Sequence, residues 1–217
     1  MLHLELHTLG AALMALEKSR QKHFKVAISG SHSTGKTTLF AKISSTLASA
    51  CIVHAVPELA RELILKSGIP GFLHPDNHRP SRLALMLAAQ IQREVAHSRS
   101  HCVVCDRGIL DNLAYASLLF SDYLSTFEGH CCQDVVESWL PTYDLILTTA
   151  IRAPMQVDEN RVDDEYFRRN IELRMTELLN FYRVPTTALE TFGDDEGLEN
   201  SLRAIRQRVE NIGACVL

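Results

Sequence analysis

Short apolar runs alternate along the chain with longer stretches in which leucine, isoleucine and valine recur every three or four positions. The short runs read as buried strands and the periodic stretches as amphipathic helices. Strands are expected at Phe24 to Ile28, Cys51 to Val56, His101 to Asp106 and Tyr143 to Thr149, with a weaker fifth at Val184 to Leu189. Helices are expected at Thr38 to Ser49, where Leu39, Ile43 and Leu47 share a face, and at Pro57 to Lys66, Ser81 to Ala96, Leu110 to Phe120 and Gln133 to Leu140. Two more run from Asp163 and Asp164 to near Tyr182 and from Asp194 to Asn211. Ser67 to Pro80, punctuated by Pro70, Pro75 and Pro80, reads as a long loop. Leu6, Leu9, Leu13 and Leu16 stand at helical spacing, so residues 1–22 read as an amphipathic helical extension and residues 23–217 as the main domain.

Strands alternating with helices imply right-handed crossovers and a largely parallel five-stranded sheet covered on both faces, a three-layer α/β sandwich. A ligand then belongs at the carboxyl ends of the strands. The first such end carries Gly30-Ser31-His32-Ser33-Thr34-Gly35-Lys36-Thr37, which fills G-x-x-x-x-G-K-[ST] at every fixed position. Its glycines let the backbone take positive φ angles and turn N–H groups inward, while the next helix points its positive end at the same anion. The loop and Thr38 are therefore expected to hold a nucleoside triphosphate. Lys36 reaches its β and γ phosphates, and the Thr37 hydroxyl takes one corner of a Mg²⁺ octahedron. The alternative is an ordinary glycine-rich turn, but strand, loop and helix follow one another as a P-loop NTPase requires.

Composition narrows the partners. A net charge of −4 does not suit generic nucleic-acid binding, yet arginine outnumbers lysine sixteen to six, and arginine is the better fork for phosphate oxygens. No apolar run approaches the roughly 20 residues that span a bilayer, and Met1 to Leu16 lacks a basic leader, so a cytoplasmic protein without a membrane partner is expected. Among the six cysteines, Cys102 and Cys105 stand three apart on one strand, facing opposite sides, and cannot grip one ion together. His3 with His7 and His74 with His78 share four-residue spacing and read as exposed pairs.

Four clusters fall where the sheet delivers them to one cleft. Glu58, in Pro57-Glu58-Leu59-Ala60-Arg61, is either a general base facing an acceptor hydroxyl or a first-turn helix residue favoured by the dipole, and Arg61 follows it on the acceptor side. Val103-Val104-Cys105-Asp106-Arg107 ends a strand on the carboxylate that presents Mg²⁺, with Arg107 over the phosphates; Asp111 either lines the acceptor side or caps a helix. From Arg152 to Arg169 runs a charged stretch in which Arg161, then Arg152, are the first candidates for a mobile lid that closes over the transferred group. Other arginines there serve as surface charges or partners of Glu165 and Glu172. Phe72, Arg79, Gln90 and Arg93 complete a possible acceptor pocket, Phe72 stacking on a ring and Gln90 bonding it.

The order of P-loop, V-P-E-x-x-R, C-D-R-G-I-L-D-N-L-A-Y-A and D-E-N-R before D-D-E-Y resembles the P-loop kinase and ATPase group that includes the NadR-like nicotinamide-riboside kinases, and more distantly the deoxynucleoside kinases. The likeness covers Phe24 to about Glu190. It implies a P-loop NTPase fold with an arginine-bearing lid, Glu58 as base, Asp106 with Mg²⁺, Arg107 near phosphate and Arg161 in the lid. Asp158-Glu159-Asn160-Arg161 departs from the pattern in having no glycine at that turn. The function expected is ATP- and Mg²⁺-dependent phosphoryl transfer to a small nucleoside-like acceptor, or else a regulatory ATP-binding and hydrolysing module that works through a protein partner. A GTPase switch is disfavoured because no N-K-x-D occurs, and an AAA+ motor because Arg107 stands where a second acidic residue would polarise water.

Overall fold

The computed structural model describes residues 23–60, 62, 81–95, 101–151, 165–184, 186–189 and 195–211. Strands β1 (Phe24–Gly30), β2 (Val53–Val56), β3 (Cys102–Asp106), β4 (Leu145–Thr149) and β5 (Thr186–Leu189) are hydrogen-bonded in the order β2-β3-β1-β4-β5. Every pairing is parallel. The helices are α1 (Lys36–Ala48), α2 (Ser81–Val95), α3 (Ile109–Leu119), α4 (Ser121–Leu124), α5 (Phe127–Trp139), α6 (Glu165–Phe181) and α7 (Asp195–Asn211).

Two cores sandwich the sheet because successive strand residues point to opposite faces. Phe24, Val26 and Ile28 of β1 join Cys102, Val104 and Leu147 under α1 (Ile43, Leu47) and α7 (Leu198, Leu202, Ile205, Val209). Ala27, Val103, Cys105 and Ile146 turn the other way, under Leu87 of α2, Leu110 of α3, Val136 of α5 and Met175 of α6. Cys102 and Cys105 thus lie in different cores. The chain leaves β1 toward β2 on one side and leaves β3 back across β1 toward β4. Right-handed crossovers therefore diverge to opposite faces between β1 and β3, and a crevice opens there at the carboxyl ends.

Several boundaries differ from the sequence reading. β1 runs past Ile28 to Gly30, which pairs with Thr149, and α1 begins at Lys36, two residues before Thr38. Helix α5 begins at Phe127 instead of Gln133, since the Thr126 hydroxyl accepts from the Gly129 N–H at 3.2 Å and caps it. The one-turn α4 was not expected, and β4 begins at Leu145 because Leu140–Thr142 forms a 3₁₀ turn. Leu59 and Ala60 are helical, but the loop to Pro80 and the extension over residues 1–22 lie outside the described residues. Among the described residues no helix is long and apolar enough to cross a membrane.

One polar network is fully buried beneath the sheet. The Glu94 carboxylate accepts from Gln90 Nε2 at 2.7 Å, Tyr143 OH at 2.6 Å and Trp139 Nε1 at 2.8 Å, and lies 3.5 Å from Lys25 Nζ. The Lys25 ammonium in turn sits 4.5 Å from the centre of the Trp139 ring. A buried charge is tolerated when partners satisfy it this fully. Gln90 extends the network toward the crevice by donating to the Arg107 carbonyl at 3.3 Å.

Candidate nucleotide site

Strand register brings the chemistry together. Ile28 pairs with Asp106, Gly30 with Thr149, and Val56 with Cys105, so the residues that follow these strands converge on the crevice. The loop from Gly30 to Gly35 turns by positive φ at Gly30 (143°), Ser33 (55°) and Gly35 (83°). Gly30 allows no side chain: a Cβ there would stand 2.6 Å from the Thr149 carbonyl oxygen. Thr34 Oγ1 donates to the Ser31 carbonyl at 2.9 Å and shares a 2.6 Å hydrogen bond with Thr149 Oγ1, tying the loop to β4. Lys36 is buried at the start of α1, where its Nζ donates to the Ser31 carbonyl and to Thr34 Oγ1 at 3.3 Å. His32 Nδ1 lies 3.2 Å from Tyr115 OH, and both rings pack near Phe167.

Asp106 ends β3 beside this loop, buried, with the Thr37 hydroxyl hydrogen-bonded to it. Its Oδ1 has no hydrogen-bond partner among the described residues. Burial raises the Asp106 carboxyl above its ordinary range, against the Thr37 hydrogen bond. A divalent cation would remove that penalty, so the Thr37–Asp106 pair fits Mg²⁺, a hard cation that takes oxygen ligands. Among the described residues no three His, Cys, Asp or Glu side chains converge to hold an ion.

Arg107 is the hub of the other wall. Its backbone is held at φ 91°, a strained value for a side-chain-bearing residue, by a 3.1 Å hydrogen bond from its N–H to the Ile28 carbonyl and by Gln90 on its own carbonyl. Arg107 Nε donates to Glu58 Oε1 at 2.6 Å, Nη1 reaches Asp111 Oδ1 at 3.3 Å, and the guanidinium carbon lies 5.2 Å from the Tyr115 ring centre. The Arg107 and Glu58 side chains keep 15% and 16% exposure, so neither is fully buried. Asp111 is different: 1% exposed, it accepts from Gly108 N at 3.0 Å and Gly30 N at 3.3 Å, which is the capping arrangement, extended to the phosphate loop. Gln90, 3% exposed, spends its amide nitrogen on Glu94 and Arg107. Arg61, Phe72, Arg79, Arg152 and Arg161 lie outside the described residues.

The structure also places at the loop two residues to which the sequence attached no such role. Thr149 holds Thr34, and Arg168 of α6, wholly buried, donates to the His32 and Ser33 carbonyls at 3.1 Å and 3.0 Å.

Lys36 carries a pH signature. Burial first, then the Arg107 charge, lowers its ammonium from 10.5 to about 7, with Asp111, Glu58 and Asp106 opposing. An incoming polyphosphate raises it again, so triphosphate binding above that value takes up a proton. The expected association constant falls by up to about tenfold per pH unit above neutrality. Calorimetry at about pH 8 in buffers of different ionisation heat should report roughly one proton taken up by the wild type and none by Lys36→Met; an affinity flat with pH would refute the assignment.

The family described as an AAA domain matches residues 25–194 of this chain. The chain belongs to that family. Within this AAA domain Arg107 still directly follows Asp106, so the acidic pair of a motor is not found at that position. No curated protein sequence matches the chain. Among solved structures, a NadR protein in complex with NAD and AMP-PNP is similar at 20% identity and a TM-score of 0.61, over 87% of this chain and 50% of that one. The AAA domain chain therefore spans half the length of NadR. Deoxyadenosine kinase from M. mycoides with dCMP and dCDP bound is similar at 14% identity and a TM-score of 0.55, over 87% of this chain and all of that one. Thymidylate kinase from Ehrlichia chaffeensis follows at 14% and 0.52, over 86% and 98%. These likenesses establish a P-loop kinase fold for the chain.

Proposed function

We propose that the protein is an ATP- and Mg²⁺-dependent phosphotransferase that moves the γ-phosphoryl group of ATP to a hydroxyl of a small nucleoside-like acceptor. The observation that carries this reading is the partly exposed Glu58–Arg107 ion pair, whose arginine also reaches the Gly30 carbonyl of the phosphate loop at 3.4 Å: a carboxylate held by an arginine beside that loop suits a transferase with a second substrate. In that scheme the main chain of residues 30–37, with Thr38, and the Lys36 ammonium hold the triphosphate. Thr37 and Asp106 would hold Mg²⁺, which would supply positive charge to offset that of the phosphates. The acceptor oxygen bonds to the γ-phosphorus as the bond to the β,γ-bridging oxygen breaks. Its proton passes to Glu58, and the electron pair leaves with ADP. Arg107 orients Glu58 and faces the equatorial oxygens, and the arginines expected to supply further charge there are Arg161 and Arg152.

The acceptor class draws support from likeness in fold to NadR, solved with NR, and to deoxyadenosine kinase, solved with dATP. A cytoplasmic location suits a triphosphate donor. Incubation with Mg-ATP and a panel of nucleosides, nicotinamide riboside included, tests the proposal. ADP release that requires one acceptor, with that acceptor phosphorylated, supports it. Hydrolysis indifferent to every acceptor turns the reading to a regulatory ATPase module.

A further inference from the structure

Among the described residues, Arg168 is the largest buried charge that the scheme above does not use. It sits in the first turn of α6, 0% exposed, 136 residues along the chain from His32. Its guanidinium donates from Nε to the His32 carbonyl at 3.1 Å and from Nη2 to the Ser33 carbonyl at 3.0 Å, while Nη1 meets Glu165 Oε2 at 3.1 Å. In return the Ser31 hydroxyl donates to the Arg168 carbonyl at 2.7 Å. Loop and helix therefore hold each other from both directions.

The chain has no cis peptide bonds among the described residues. In a planar trans peptide the C=O of one residue and the N–H of the next point in opposite directions. Turning the His32 and Ser33 carbonyls toward Arg168 thus turns the N–H groups of Ser33 and Thr34 away from it, to the opposite side of the loop. The same clamp stabilises the left-handed φ of 55° at Ser33, which this residue type adopts only when its surroundings impose it. Burying a guanidinium for fold stability alone is a poor exchange, since apolar residues of like volume commonly serve as well.

We infer that Arg168 is a positioning residue of the phosphate loop: it orients the loop amides toward the triphosphate and so sets donor affinity without touching the donor. This rests on the reading of residues 30–37 as the phosphate site. A fork with three bonded nitrogens does the task, and a lysine cannot reproduce it.

The test is calorimetric titration of the full chain with Mg-AMP-PNP, wild type against Arg168→Met, Arg168→Lys and Ser31→Ala, with thermal melts alongside. Arg168→Met should weaken binding by about tenfold or more and Arg168→Lys by somewhat less, through loss of charge-assisted hydrogen bonds to the loop, and Ser31→Ala by several-fold, through loss of one neutral hydroxyl–carbonyl bond. In turnover the loss should fall on the KM for ATP and not on the KM for the acceptor, a split that general loosening of the fold would not give. Should Arg168→Met fail to fold, Arg168→Lys and Ser31→Ala decide. Folded variants that bind Mg-AMP-PNP as the wild type does overturn this inference alone, whereas a wild type that takes up none removes the phosphate-site reading and the inference together.

Discussion

Lys36→Ala should abolish useful triphosphate binding while the domain stays folded. Truncating one partner of a desolvated charge contact costs about 2–5 kcal/mol, which is roughly thirtyfold to several thousandfold in Kd. The fold should not suffer, because Lys36 holds no core together: its ammonium is buried against loop oxygens and its pKa is pulled down to about 7. The sign of the linkage provides a second readout. With the folded value depressed from 10.5, the unfolded chain binds more protons between the two values, so this group makes stability rise with pH through that window and contributes none of that slope below it. Denaturant melts across the window should show the slope in the wild type and lose it in Lys36→Ala. Calorimetry that finds wild-type affinity in the variant would remove the loop from the phosphate and leave the rest of the site without an anchor.

Much of this was legible because the chemistry is local. A phosphate loop is built from consecutive main-chain groups, so its glycines and lysine must stand at fixed spacing, and the strand before it, buried on both faces, must be apolar throughout. Asp106 and Arg107 were visible for the same reason, as polar residues at the end of an apolar run. Asp111 had two readings, and what the sequence could not show is that its carboxylate folds back on the Gly108 and Gly30 N–H groups. Arg168 was not legible. Three residues from Glu165 on a charged helix, it looked like half of a solvated pair, and its burial arises only when α6 crosses the loop, far away in sequence. Glu94 was hidden likewise: Trp139, Tyr143 and Lys25, which make its burial tolerable, come from three distant segments. The start of helix α5 at Phe127 rests on the Thr126 cap, ahead of the apolar periodicity that begins at Gln133.

The two halves of the site meet at Arg107. Its carbonyl is fixed from below by Gln90, its N–H by β1, and its guanidinium by Glu58 and Asp111, while Asp111 also holds the Gly30 N–H. The base candidate and the entrance to the phosphate loop are thus bound to the same side chain. Movement of one cannot be independent of the other, which suits a reaction in which acceptor and donor must be aligned within a fraction of an ångström.

Glu58→Gln isolates the chemical step from that geometry. The amide keeps the size of the side chain and an oxygen to accept from Arg107 Nε, so the 2.6 Å contact has a successor and the wall need not rearrange. What the amide cannot do is take a proton. If Glu58 accepts the acceptor's hydroxyl proton, kcat should fall by about two to four orders of magnitude, the usual worth of a positioned base. The affinity for Mg-AMP-PNP should stay within about threefold of wild type, because an interaction made only in the transition state leaves ground-state binding alone. Single-turnover phosphoryl transfer, measured beside calorimetry on the same preparation, reads both quantities. An unchanged kcat would leave Glu58, which stands just ahead of the helical Leu59, as a structural carboxylate whose task is to hold Arg107. A loss of nucleotide affinity equal to the loss of rate would instead show that the Glu58–Arg107 pair shapes the phosphate site itself.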